Sequence, residues 1–255
     1  MLILFIIILL MRDFMRTIDA RQLVLVTILY MRPAYESTAF LTYAGSEVGE
    51  VPQLRLVRSA FLRKRIFDFV FASFVVVFLL SWLVPIIAFL IKFESKGPAF
   101  FKQLRTGKDG RSFYCLKFRS MTVNAEADVK QASRGDARVT KVGAFLRKSS
   151  FDELPQFFNV LLGHMSVVGP RPHMLIHTEH YASTIHNFMD RHRVLPGITG
   201  LAQVSGLRGE TQEPDAMNKR VKADLFYLSN MSGKMDAKII LMTVVQVFKK
   251  NEHVY

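Results

Sequence analysis

Asp152 and Glu153 stand side by side in "SSFDELPQFF", residues 149 to 158, of a chain that is otherwise strongly basic. Such a pair can supply a carboxylate nucleophile, a proton carrier or ligands for a hard metal ion. A plain helix cap is the structural alternative. Ser150 and Glu153 satisfy the capping-box pattern, in which Glu153 reaches back to a backbone N–H. Pro155 opposes that register, because with Ser150 as N-cap it would be the fifth helical residue, where its ring and missing N–H are costly. With Asp152 as N-cap, Pro155 falls in the tolerated first turn. Asp152 is then either a cap contributing about 1 kcal/mol or a carboxylate held ionised by free N–H groups and the helix dipole, which suits a nucleophile or metal ligand.

Cations that could face a phosphate come next. Lys117 and Arg119 share one face if "LKFRSM" is extended; two solvated charges on an edge strand fit the same pattern. Arg171 is fixed between two prolines in "MSVVGPRP", residues 165 to 172. In "RVLPGITGLAQVSGLRGE", Gly197, Gly200, Gly206 and Gly209 could present backbone N–H groups to an anion, although irregular surface loops look alike. No Walker A or GxGxxG pattern is present. Six of seven histidines lie between His164 and His192, and His173 and His177 have i, i+4 spacing, but the glutamate of HExxH is missing.

The elements that must hold these groups are partly apolar. Half of the 255 residues are hydrophobic, yet the net charge is +13. Greasiness with basicity points to a membrane surface or a polyanionic substrate. The charge is densest over residues 101 to 148, with 12 Lys+Arg against 4 Asp+Glu. Cys115 is the only cysteine, which excludes an intrachain disulfide and favours a reducing compartment. From Phe69 to Ile91 there are 23 uncharged residues, enough for a helix across a hydrocarbon layer about 30 Å thick. Arg63, Lys64 and Arg65 precede this segment and Lys92 follows it. Positive charge at both ends suits a helix that enters and returns on the cytoplasmic side. Pro85 offers a place to bend, since it cannot donate to the Ser81 carbonyl, and the Ser81 hydroxyl can help re-satisfy the backbone. An ordinary spanning helix with a mild kink is the alternative.

"MLILFIIILLM" is too short to span and lacks a basic n-region, so it reads as an interfacial anchor or the remainder of a longer hydrophobic region. Residues 31 to 60 read as a linker. Short strands are predicted around the turns at Gly97-Pro98 and Lys108-Asp109-Gly110. Two short helices joined at the serines are predicted over "VTKVGAFLRKSSFDELPQFFNVLLGHMS". "DAMNKRVKADLFYLS" and "MDAKIILMTVVQVFKK" have helical periodicity with basic polar faces, suited to membrane or core.

From about Arg63 to Phe248 the chain resembles the bacterial sugar transferases, the polyprenyl-phosphate phosphoglycosyl transferases. The resemblance rests on "KRIFDF", an apolar segment with a helix-breaking proline, "GPAFFKQLRTGKDG", "LKFRSM", "DARVTKVGAFLRKSSFDELPQFFNVL", "MSVVGPRP" and "PGITGLAQVSG", in that order. The family's catalytic Asp-Glu dyad falls on Asp152 and Glu153. Its membrane segment is a re-entrant helix broken at Ser-Pro; here Trp82 follows Ser81 and the proline comes at 85. His164 replaces an acidic residue common before "MS".

The resemblance implies an α/β, mainly helical, monotopic membrane protein: a re-entrant membrane helix plus a small cytoplasmic catalytic domain with amphipathic interfacial helices. Its expected parts are an N-terminal apolar segment and linker at 1–60, the membrane-inserted helix at 61–96 and the cytoplasmic domain at 97–255. The implied reaction transfers a sugar 1-phosphate from a UDP-sugar to undecaprenyl phosphate at the bacterial inner membrane, releasing UMP. Mg²⁺ beside Asp152 and Glu153, with Lys117, Arg119, Arg147 and Arg171 as phosphate partners, would neutralise the transferring group. A non-catalytic scaffold binding anionic lipid is the rival; a nucleic-acid partner is not expected, because the basic run lacks a nucleic-acid module. The identity of the sugar and homodimer formation stay open.

Overall fold

The apolar segment is helical from end to end. In the computed structural model, which describes residues 58–123, 135–207 and 215–248, helix α1 (Arg58–Val75) passes through a π-helical turn (Val76–Leu80) into helix α2 (Ser81–Glu94). The described residues belong to one unit of the fold, Ser46–Tyr255. The expected N-terminal segment and linker, 1–60, fall almost wholly outside them.

The helix irregularity precedes the proline. The N–H of Ser81 bonds to the carbonyl of Val76, five residues back, while Pro85 lies inside α2. Ser81 Oγ donates to the Val77 carbonyl at 2.6 Å and Trp82 Nε1 to that of Phe78 at 2.9 Å. Side chains thus serve the carbonyls of the disturbed turn. Between Phe61 and Glu94 the run has 34 residues, and only 17% of its most apolar window is buried. Phe69, Val70, Phe74, Val77, Phe78, Phe89 and Phe93 are exposed, an apolar surface that a water-soluble domain would not leave bare.

Both ends of this run grip the rest of the protein. In α1, Arg65 Nη2 donates to the Val160 carbonyl at 2.6 Å, Asp68 Oδ1 accepts from Val167 N at 2.9 Å, and Lys64 Nζ pairs with Asp236 at 2.7 Å. Of the three cations at 63–65, only Arg63 is exposed. The charge expected to orient the segment at the membrane is therefore mostly used to anchor the helix. In α2, Ile87 and Ile91 are buried with Phe118 and Leu146, each such side chain stabilising by about 1.5–3 kcal/mol. Glu94 then accepts the N–H groups of Lys141 (2.7 Å) and Val142 (2.9 Å), and Thr140 Oγ1 accepts that of Gly143, so helix α3 (Lys141–Lys148) starts against the end of α2.

Between them, β1 (Phe100–Thr106) and β2 (Ser112–Phe118) form an antiparallel hairpin across a tight turn with Asp109 and Gly110 at positive φ. The register pairs Phe101 with Lys117, Gln103 with Cys115 and Arg105 with Phe113. Alternation puts Gln103, Arg105, Cys115 and Lys117 on one face. A short helix α4 (Gln156–Leu161) leads to β3 (Ser166–Val168), which pairs in parallel with β4 (Gly197–Thr199). Helix α5 (Leu175–Thr184) and a 3₁₀ segment (Phe188–Arg193) lie between these strands in sequence, and α6 (Leu201–Val204), α7 (Ala216–Ser229) and α8 (Gly233–Phe248) complete the described chain.

The main core joins Ala72 of α1 to Phe113, Val160, Met165, Val167, Tyr227 and Ile239. Of the two helices expected to suit membrane or core, α7 goes into the core with Met217, Val221, Leu225 and Leu228 buried, whereas α8 leaves Leu241, Val245 and Val247 exposed.

Candidate active site

Asp152 does not cap a helix. Ser150 takes a left-handed backbone (φ 58°) and starts a 3₁₀ turn, Phe151–Glu153, while Pro155 occupies the N-cap position of α4. Neither the Ser150–Glu153 capping box nor an Asp152 cap forms, because the left-handed serine begins the helical turn at Phe151 and the proline marks where it passes into α4. Free N–H groups are thus not what sets Asp152's charge.

Burial does that instead. Asp152 is 8% exposed, and its carboxyl is pushed up to about 6 by burial and, less, by Glu153, with Lys117, Arg147 and Arg171 pulling the other way. Its one ion pair among the described residues is a long one, 3.9 Å to Lys117 Nζ. Glu153 is the opposite case. Lys117 Nζ is 2.6 Å from its Oε1, and Arg171 clasps both oxygens, Nη2 to Oε1 at 2.6 Å and Nη1 to Oε2 at 3.1 Å. Burial works against this charge, but Arg171 and Lys117 overcome it and hold Glu153 well below the usual carboxylate range. One carboxylate is left with a single long ion pair and its neighbour is clasped by two cations.

Of the four cations expected at a phosphate, the structure brings three together. Lys117 and Arg171 touch the dyad and Arg147 acts on Asp152 through space. Arg119 belongs elsewhere: β2 ends at Phe118, and the Arg119 guanidinium binds the carbonyls of Ser95 (2.7 Å) and Lys96 just beyond α2. It closes the end of α2, satisfying carbonyls the helix cannot. Two glycines of the glycine-rich stretch are also structural. A Cβ on Gly197 would lie 2.1 Å from Gly169 N, and one on Gly200 would lie 2.2 Å from Gly169 O, so these positions let β3 and β4 approach. Gly209 lies outside the described residues.

Two neighbours of the site were not singled out from sequence. Arg105 donates through Nε to Gln103 Oε1 at 3.0 Å and through Nη1 to the Pro172 carbonyl at 2.9 Å; strand alternation with Lys117 could have revealed it. Arg191, fully buried with Asp224, carries no local signal. Cys115 lies on the site face, but burial pushes its thiol up, which leaves it unreactive.

No three His, Cys, Asp or Glu side chains gather as a metal cage among the described residues. His173 precedes α5 rather than lying on it, and its Nδ1 faces Arg191 at 2.7 Å, so the i, i+4 histidines do not form a metal pair. Of the two carboxylates only Asp152, with its single long ion pair, is open to Mg²⁺, which is commonly held by one or two carboxylates together with substrate phosphates; both Glu153 oxygens are taken by Lys117 and Arg171.

The bacterial sugar transferase family matches residues 59–250. The chain is 52% identical over 186 residues to a UDP-glucose:undecaprenyl-phosphate glucose-1-phosphate transferase of Klebsiella pneumoniae, covering 72% of this chain and 40% of that protein. Proteins of the same description from Xanthomonas campestris pv. campestris (45% identity; 81% of this chain, 44% of the relative) and Escherichia coli K12 (49%; 73% and 40%) also match. The chain spans less than half the length of these relatives.

Proposed function

The chain belongs to the bacterial sugar transferase family, and from that premise we propose that it moves a sugar 1-phosphate from a UDP-sugar to undecaprenyl phosphate. The observation that carries the reading is the contrast within the dyad: Asp152 is buried with only a long ion pair, while Glu153 is clasped by Arg171 and Lys117. An Asp152 oxygen attacks the phosphorus that bears the sugar, and the bond to the UMP oxygen breaks. Undecaprenyl phosphate then attacks the acyl phosphate, restoring the carboxylate and forming the diphosphate-linked sugar. Such covalent relays divide one transfer into two steps.

Lys117, Arg147 and Arg171 neutralise the phosphate oxygens, and Glu153 keeps the first and last of these cations in place. Asp152, together with substrate phosphates, would hold Mg²⁺, whose chemistry is to neutralise charge developing on the phosphates; Glu153 would join it only by giving up a contact to Lys117 or Arg171. UDP-glucose is the first donor to test, since the three relatives above carry it in their names.

A membrane location follows from the bare apolar helix, and a re-entrant course is supported by its anchors. Arg65 and Asp68 near its start and Ile91 and Glu94 at its end all bind the same domain. A straight spanning helix would carry them apart by roughly 35–40 Å. We place this domain at the cytoplasmic face of the inner membrane, where α8's exposed apolar face can rest on the bilayer. Cysteines at positions 60 and 96, in a Cys115→Ala background, should be labelled from one side only, the cytoplasmic one. Labelling from opposite sides would remove the re-entrant course.

Mass spectrometry tests the chemistry. After brief exposure to UDP-glucose without lipid acceptor, the wild type should carry a phosphosugar on the peptide containing Asp152, and Asp152→Asn should carry none. An adduct on another residue, or an active Asp152→Asn enzyme, refutes the mechanism; a scaffold would release no UMP at all.

A further inference from the structure

Residues 170–173, Pro-Arg-Pro-His, form neither helix nor strand, yet each of their four carbonyls is held. Pro170 O accepts from Gly197 N at 2.9 Å, and His173 O from Thr106 N at 2.9 Å. Between these two backbone donors, Arg171 O accepts from Arg191 Nη2 and Pro172 O from Arg105 Nη1, both at 2.9 Å. The two prolines have no N–H to offer, so the carbonyls are the handles by which the fold can fix this stretch.

Arg191 is an unusual choice for such a task. Its side chain is 1% exposed, and the charge is balanced by Asp224 of α7, 2% exposed and 2.6 Å away. Its Nη1 lies 2.7 Å from Nδ1 of His173. Arginine only donates, so this ring nitrogen accepts and the imidazole is neutral; burial first, then Arg191, keeps His173 far below its usual range. The Phe188 ring packs against both, 5.4 Å from the guanidinium carbon and stacked on His173 at 6.0 Å. A buried ion pair is weak evidence for stability, since apolar side chains of similar volume commonly do as well. What a guanidinium alone supplies here is a rigid fork of donors, one prong on each side of Pro172.

We infer that Arg191, neutralised by Asp224, is a positioning residue: by gripping the Arg171 carbonyl and the His173 ring it aims the Arg171 side chain at the sugar-bearing phosphate. Arg191 touches no substrate, and its effect passes through Arg171. The inference rests on the proposed transferase reaction, in which Arg171 is a phosphate ligand.

A mutant cycle on donor affinity tests it. The full chain with Asp152→Asn, which blocks turnover, is titrated calorimetrically in detergent with UDP-glucose, UDP-galactose and UDP-N-acetylglucosamine, and the tightest donor is kept. Arg191→Met with Asp224→Leu should lower affinity about tenfold while staying folded and melting above either single variant. Arg171→Ala should lower it at least as far, and combining all three changes should lower it no further. Additive losses, or unchanged affinity in the Met/Leu pair, overturn the inference while leaving the transferase reading intact. Should the Met/Leu pair fail to fold, Arg191→Lys, which keeps the charge and loses the fork, enters the same cycle with the same criterion. A parent that binds no UDP-sugar sinks the reaction itself and this inference with it.

Discussion

Two arginine–carboxylate pairs meet at residues 170–173, one through Arg171 itself and one through Arg191, and they are built for different work. Arg171–Glu153 is partly open, with side chains 35% and 16% exposed, and Lys117 shares its carboxylate. Arg191–Asp224 is sealed at 1% and 2%. An open pair can exchange one anionic partner for another, so a substrate phosphate can take up Arg171 while Glu153 keeps Lys117. A sealed pair cannot exchange, and its loss leaves a charge stranded in the core. One chemical motif thus acts as a contact at the rim and as a strut beneath it.

Breaking the sealed pair from one side should have the largest effect. Arg191→Met alone leaves Asp224, whose carboxyl is already pushed up by burial, with only the weaker attraction of Arg220, and Asp224→Leu alone strands Arg191. Each should cost about 3–5 kcal/mol, visible as a large drop in melting temperature, whereas replacing both should restore most of it. A single variant that melts with the wild type would erase the contrast between the pairs.

How far this contrast could be read in advance depends on range. The dyad, Lys117 and Arg171 were legible because short motifs carry them, and the two short helices about the serines were legible from apolar spacing. Lys117 reaches Glu153 across 36 positions and Arg191 reaches Asp224 across 33; partners at that separation leave no local trace. Arg119 shows the same limit. Its face could be read if the strand continued, but β2 ends one residue earlier and the side chain turns to the end of α2. The helix start expected at Asp152 does not form for a local reason, the left-handed Ser150, a conformation uncommon for serine.

Within the dyad the comparison predicts opposite responses to pH. Asp152 has a folded value raised from 3.8 to about 6. Between those values the folded protein keeps a proton that the unfolded chain has released, so Asp152 makes stability fall as pH rises, while ionisation would make the proposed nucleophile competent. Glu153 is lowered from 4.5, so its contribution is present above that value and lost as pH falls through the lower folded one. In chelator-treated protein, Asp152→Asn should therefore be more stable than wild type at pH 8, by on the order of 2 kcal/mol, and the difference should vanish below pH 4. Wild-type UMP release should fall on the acid side, as Asp152 takes up its proton. Equal stability of the two proteins at pH 8 would mean that burial does not strain Asp152.

The open pair should yield the smallest change in stability and a disproportionate one in rate. Removing Arg171 leaves Glu153 paired with Lys117, so no buried charge is stranded, and a partly exposed pair contributes only about 0–1 kcal/mol. Arg171→Ala should therefore melt within a few degrees of wild type and stay in the membrane fraction, yet lose more than tenfold in turnover, because a bidentate guanidinium at the phosphate is gone. Arg171→Lys should recover part of the rate by restoring charge without the fork. The ratio of rate loss to stability loss is the discriminating quantity: it should be high at Arg171 and low for Arg191→Met alone, where unfolding dominates. Near-normal turnover in purified Arg171→Ala would return this arginine to the role of a solvated charge and leave Lys117 as the dyad's principal cation.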